Sequence, residues 1–143
     1  MYSTENDILA AGDKHFTPLC LAHFAFLVSD YDFALSAVAV ANETVIDFSS
    51  GDLIVRVFHA IPELPFLHLQ LPQQKKPTKV SIRFSSGCRK LQREYMQCLE
   101  ATSDSRWWTQ YTNGAFTDHL DATLAEIEKY VRDEIESWVQ SIE

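Results

Sequence analysis

The sequence predicts an α+β fold, a two-layer sandwich with one antiparallel sheet, and three observations predict it. From Phe33 to Leu71 apolar residues recur at every second position: Val38 and Val40, Ile46 and Phe48, Leu53, Val55 and Val57, then Leu67, Leu69 and Leu71. Period two is that of a sheet with one covered face. The breaks between these runs are short: Ala41-Asn42-Glu43-Thr44, Ser49-Ser50-Gly51-Asp52 and Ile61-Pro62-Glu63-Leu64-Pro65. Short breaks join neighbours, so the strands form an antiparallel meander. Before and after this region the apolar spacing changes to three and four, the period of helices.

The elements follow in order. Residues 1–15 carry no sustained period and are expected as a flexible lead-in to a single domain spanning 1–143. Thr17-Pro18 reads as an N-cap and first helical residue. The N-terminal helix then runs to Ser29-Asp30, apolar around much of its circumference and therefore largely buried. Folding the meander about Ser50-Gly51 sets Phe48 opposite Leu53 and Ile46 opposite Val55. Folding about Glu63 sets Val57 opposite Leu69 and Val55 opposite Leu71. Both hairpins put apolar residues on one face, and a slip of one residue would scatter them. The other face carries Arg56, Phe58, His68 and Gln70. Lys79 to Phe84 alternates again and is expected as a further strand, giving four or five. Cys88, Leu91, Tyr95, Cys98 and Leu99 mark a helix over 87–101. Residues 102–114 read as an irregular loop. Thr117 reads as the cap of a long last helix with the apolar stripe Leu120, Leu124, Ile127, Val131, Ile135 and Trp138. The two C-terminal helices are expected on one face of the sheet.

Composition narrows the function. The 143 residues are 46% hydrophobic and 22% charged, as in an ordinary globular domain. Only four glycines are present, little material for a phosphate-cradling loop. The net charge is −8, a field that repels nucleic acid and anionic membranes and attracts cationic partners. Charge is segregated. Residues 1–72 hold nine acids against Lys14 and Arg56, whereas residues 73–93 hold seven bases and no acid. That basic stretch reads as a solvated surface, with an anion site as the sharper alternative. Cys20, Cys88 and Cys98 are too few and too far apart for a disulfide framework. Cys20 reads as a small core residue. The N-terminus lacks the pattern of a signal peptide, and no apolar run is long enough to span a bilayer, so a cytoplasmic location is expected.

No motif names a reaction. GxxxxGK[ST], GxGxxG, HExxH and GxSxG are all absent. His15, His23, His59, His68 and His119 lack metal-ligand spacing, and the strand pattern turns His59 and His68 to opposite faces. No catalytic residue, cofactor or metal is therefore expected. Asp30, Asp32, Glu43, Asp47, Asp52 and Glu63 fall at strand ends and turns, where an acidic surface can meet a partner. Trp107 and Trp108, with Arg106 and Tyr111, are residue types of interaction hot spots.

The stretch Phe26-Leu27-Val28-Ser29-Asp30-Tyr31-Asp32-Phe33, followed by Thr44-Val45-Ile46-Asp47-Phe48 and Leu53-Ile54-Val55-Arg56-Val57, resembles a group of small bacterial α+β proteins. In them a first helix enters a Tyr-Gly-Phe-like turn, a meander follows and a C-terminal helix closes the chain. Asp32 stands where that pattern has Gly. Some members resemble immunity proteins encoded beside polymorphic or contact-dependent toxins, and the resemblance carries no catalytic residues. It implies a non-enzymatic, acidic binding protein that masks a protein partner such as a basic toxin domain. The alternative expectation is a small-molecule-binding or enzymatic domain whose pocket lies between sheet and helices, with Arg56, Phe58 and His68 lining it and the Trp107–Trp108 segment as its lid. A third is a homodimer formed through a sheet edge or the tryptophan segment.

Overall fold

The computed structural model describes residues 1–101 and 106–141. Three short helices come first: α1 (Glu5–Ala11), α2 (Phe16–His23) and α3 (Ala25–Ser29). The strands are β1 (Ala34–Val40), β2 (Glu43–Ser50), β3 (Leu53–Ala60), β4 (Phe66–Gln70) and β5 (Thr78–Lys79). The helices α4 (Ser86–Ala101), α5 (Arg106–Thr112) and α6 (Thr117–Gln140) close the chain. The strands form one antiparallel sheet in the order β1-β2-β3-β4-β5. The α+β sandwich expected from the sequence is the fold observed.

One sheet face is apolar and covered. Ile46, Phe48, Leu53, Val55, Val57 and Leu67 are at most 1% exposed. They share a core with Phe16, Phe24 and Leu27 from α2–α3 and with the whole α6 stripe, from Leu120 to Trp138. Burying each large aliphatic side chain contributes about 1.5–3 kcal/mol. The α6 stripe is thus a main adhesive between the layers. α4 packs on α6 and sends Tyr95 into the same core.

In both hairpins the register differs by two residues from the one expected for folds about Ser50-Gly51 and Glu63. Phe48 faces Val55 and Ile46 faces Val57, while Val55 faces Leu69 and Val57 faces Leu67. A shift of two keeps every side chain on its face, which is why the core of β2–β4 was foreseen although its partners were not. β1 is a correction: Val38 and Val40, expected on the covered face, are exposed, and Ala37, next to Val38, is buried instead. The turns explain the shift. Ser50 pairs with Leu53, so Gly51 and Asp52 form the two-residue loop. Gly51 takes φ 58° at its first position, the conformation such hairpin loops favour there. In the other hairpin, Glu63 N–H donates to the Ala60 carbonyl at 2.6 Å, closing the turn earlier than a fold centred on Glu63.

Other expectations are corrected. Residues 1–15 are part of the fold: α1 buries Ile8, and Tyr2 exchanges backbone hydrogen bonds with Ala37 on the edge of β1. Thr17 is not a cap but lies buried inside α2. The Asp13 carboxylate instead accepts the N–H groups of His15 and Phe16 at 2.9 and 2.7 Å. The single N-terminal helix is two, bent at Phe24. The bend lets Phe24 reach Phe48, at 5.8 Å between ring centroids, while Phe26 and Leu27 are also buried. The last strand is only two residues long. After Val80 N–H bonds to Leu67 the chain leaves the sheet as a strap. Val80, Ile82 and Phe84 pack against the core and Lys79, Ser81 and Arg83 are exposed, so the alternation came from one-sided packing rather than strand pairing. Part of the expected loop 102–114 is α5. α6 begins at Thr117, with Phe116 rather than Thr117 in the cap position.

Candidate functional site

The candidate acids divide between the two ends of the sheet. β1 starts opposite the end of β2, so Asp30, Asp32 and the β2–β3 loop residue Asp52 share one end. Glu43 and Glu63 lie at the other, where Ile61 N–H bonds to the Asn42 carbonyl. Asp30, Asp32, Asp52, Glu43 and Glu63 are all exposed. Asp47 is different: it lies on the open sheet face, and Arg56 Nε and Nη2 donate to its two carboxylate oxygens at 2.7 and 2.9 Å. Its charge is already matched within the sheet.

The Asp30 end is the best-built corner. Asp30 N–H closes α3 on the Phe26 carbonyl at 2.8 Å, and Ser29 Oγ donates to its carboxylate at 3.1 Å. Asp32 turns the chain into β1 with φ 60°, a left-handed conformation that Asp tolerates better than most side chains and Gly better still. Between them Tyr31 Oη donates to Glu136 Oε1 at 2.5 Å, which raises the tyrosine pKa and brings a carboxylate of α6 to the same corner. Sequence reasoning missed Glu136. The exposed acids Asp133, Glu134 and Glu136 on the last turns of α6 were the available signal.

Ion pairs fix this corner to α6. His23 Nδ1 and Nε2 each lie 2.6 Å from a carboxylate, of Glu128 and Asp121. Burial alone would lower the His23 pKa, but hydrogen bonds to the two carboxylates outweigh it and the pKa is raised. Arg132 Nε donates to Glu128 Oε2 at 2.6 Å and its guanidinium lies 3.9 Å over the Phe26 ring. The acids at the corner therefore stand on a braced frame.

The open sheet face holds two cross-strand rows. Ser36, Asp47, Arg56, His68 and Lys79 form one; Val38, Val45, Phe58 and Phe66 form the other. Phe58 stacks on Phe66 at 4.9 Å, and Lys79 Nζ lies 4.7 Å over Phe66. The expectation that Arg56, Phe58 and His68 line a pocket under the helices is overturned: they point away from the helical layer because they alternate with the buried Val55, Val57, Leu67 and Leu69. Trp108 is 39% exposed on α5 and stacks toward Tyr111 at 6.4 Å. The side chain of Trp107 lies outside the described residues.

Beneath α2 is a buried polar cluster that the sequence did not announce. His59 is fully buried and stacks on Phe16 at 4.7 Å, with Tyr111 at 6.2 Å. Among the described residues, both His59 ring nitrogens, Thr17 Oγ1 and Tyr111 Oη make no well-formed hydrogen bond; the Glu63 backbone and the Asp13 carboxylate are the polar groups that act on His59 and Tyr111. Gly12 runs so close to Thr17 that an added Cβ would collide with Oγ1. Burial lowers the His59 pKa to about 4, against a weaker opposing pull from the Asp13 carboxylate and the Glu63 backbone. Burial likewise raises the Tyr111 pKa, with Asp13 adding to it.

One apolar concavity lies at the other side of the fold. Between the strap, the β3–β4 loop and α4 is a cavity of about 590 Å³, with Leu67 and Ile127 in its floor and Phe84 and Leu99 in its walls. Among the described residues no three His, Cys, Asp or Glu side chains gather as a metal site, and no helix is long and apolar enough to cross a membrane. The basic stretch does not form a simple anion cradle at the start of α4, because Glu126 Oε1 already accepts the Ser85 N–H at 2.6 Å. The chain matches no family model, no curated protein and no solved structure.

Proposed function

We propose that this chain is a non-enzymatic, acidic binding protein of the immunity type, which neutralises a cationic toxin domain by covering it. The observation that carries the reading is the corner made by the α3–β1 turn, the β2–β3 loop and the end of α6. It presents Asp30, Asp32, Asp52 and Glu136 on exposed, short and well-supported elements. The nearby cation, Arg132, is engaged by Glu128 and Phe26. Such a surface raises the association rate of a basic partner more than it tightens the final complex. Asp47 contributes little to that field, because Arg56 neutralises it.

The test takes the product of a toxin-like reading frame sought beside this gene, and the absence of one counts against the reading. Co-expression with this chain should restore growth, and the association rate of the purified pair should fall with salt. Asp30→Lys with Asp32→Lys should slow association by about tenfold or more while leaving the unfolding midpoint near the parent's. A neighbouring toxin that kills regardless, or an association rate indifferent to salt and to the reversed charges, refutes the reading.

A further inference from the structure

We propose that the cleft between the strap and α4 binds an amphiphilic carboxylate, with its aliphatic tail in the cleft and its head at a basic rim. This is independent of the acidic corner, which lies at the other side of the sheet. Three observations converge. The cavity, about 590 Å³, falls in the range of ~300–1,000 Å³ typical of small-molecule sites. Its surface is chiefly apolar, drawn from Leu64, Phe66, Val80, Ile82 and Met96, and Leu64 and Met96 continue it into a second hollow along α4.

The third observation is charge. The acid-free stretch 73–93 builds both walls: β5 supplies Lys79, whose Nζ lies over the Phe66 ring at the edge of the cleft, and α4 supplies Arg89 and Arg93 along the groove's continuation past Leu64 and Met96. Two carboxylates, Glu63 and Glu100, also reach the rim, so the excess there is one positive charge. In a chain of net charge −8 that is a local reversal of sign. The excess of a single positive charge suits one carboxylate. An apolar tail and a single anionic head are the complement of this cleft.

The experiment titrates the intact protein with octanoate, decanoate and dodecanoate, and with dodecanol and dodecyltrimethylammonium as controls. Backbone amide shifts locate each ligand. The expected result is one saturable site whose shifts cluster on the strap and α4. Affinity should rise about threefold per methylene, and the cationic homologue should bind more weakly than dodecanoate. Lys79→Glu, at an exposed position, should weaken dodecanoate about two- to fivefold without changing the unfolding midpoint. Met96→Trp should block binding by filling the groove. Shifts elsewhere, equal affinity for the cationic and anionic homologues, or no saturation by dodecanoate overturns the proposal. Binding of an acidic amphipathic peptide in place of dodecanoate would overturn it in favour of a protein ligand.

Discussion

His59 makes stability depend on pH in a direction set by its burial. The folded chain holds the imidazole neutral with a pKa near 4, whereas the unfolded chain restores about 6.5. Between these values the unfolded state binds more protons, so stability falls as pH falls. Two and a half pK units correspond to about 3 kcal/mol at full effect, and to about 2 kcal/mol between pH ~7.5 and ~5. His23 acts in the opposite sense: its folded pKa is raised, so its contribution is complete below about 6.5 and is lost as pH rises through the folded pKa, equally in the parent and in a His59 variant. The assay is urea unfolding at the two pH values for the parent and for His59→Phe, which keeps a ring against Phe16 and deletes both nitrogens. On acidification the parent should lose about 2 kcal/mol more than the variant, a difference from which the His23 contribution cancels. The variant should also gain stability at neutral pH, since two buried nitrogens without a well-formed hydrogen bond disappear. An equal acid loss in both proteins would refute the reasoning.

Three further outcomes are expected. His23→Gln should flatten the loss of stability seen as pH rises from about 6.5 through the raised folded pKa, because the charged clamp to Asp121 and Glu128 is what that rise removes; thermal melts across that range would show it. Ala41→Gly should raise stability by about 0.5–1 kcal/mol in chemical unfolding, since Ala41 sits at φ 48° in the exposed β1–β2 turn. Ile127→Ala should cost about 2–5 kcal/mol, because the side chain is fully buried between the layers and its neighbours cannot close the gap; a loss below about 1 kcal/mol would mean that α6 is not packed as described.

The sequence by itself determined which residues of β2–β4 and α6 are core, though not those of β1, where Val38 and Val40 are exposed, or of α1, where Ile8 is buried. Val55, Val57, Leu67 and Leu69 alternate, and the α6 stripe recurs at three and four, because one-sided burial imposes the period of the element on the apolar residues. That parity survives a two-residue change of register, so the sheet's inner and outer faces were legible while the pairing of Phe48 with Val55 was not. The candidate acids were legible as exposed turn residues, but their grouping was not: Asp30, Asp32 and Asp52 share one end of the sheet, and Glu136, 104 positions beyond Asp32, joins that corner through Tyr31, only because β1 lies beside β2 and α6 runs back past α3. Tertiary packing alone decided the bend at Phe24, the early departure of the strap from β4, the cleft against α4 and the isolation of His59. Each depends on volumes and charges supplied by segments far apart in the chain, and a local period carries no record of what will lie across from it.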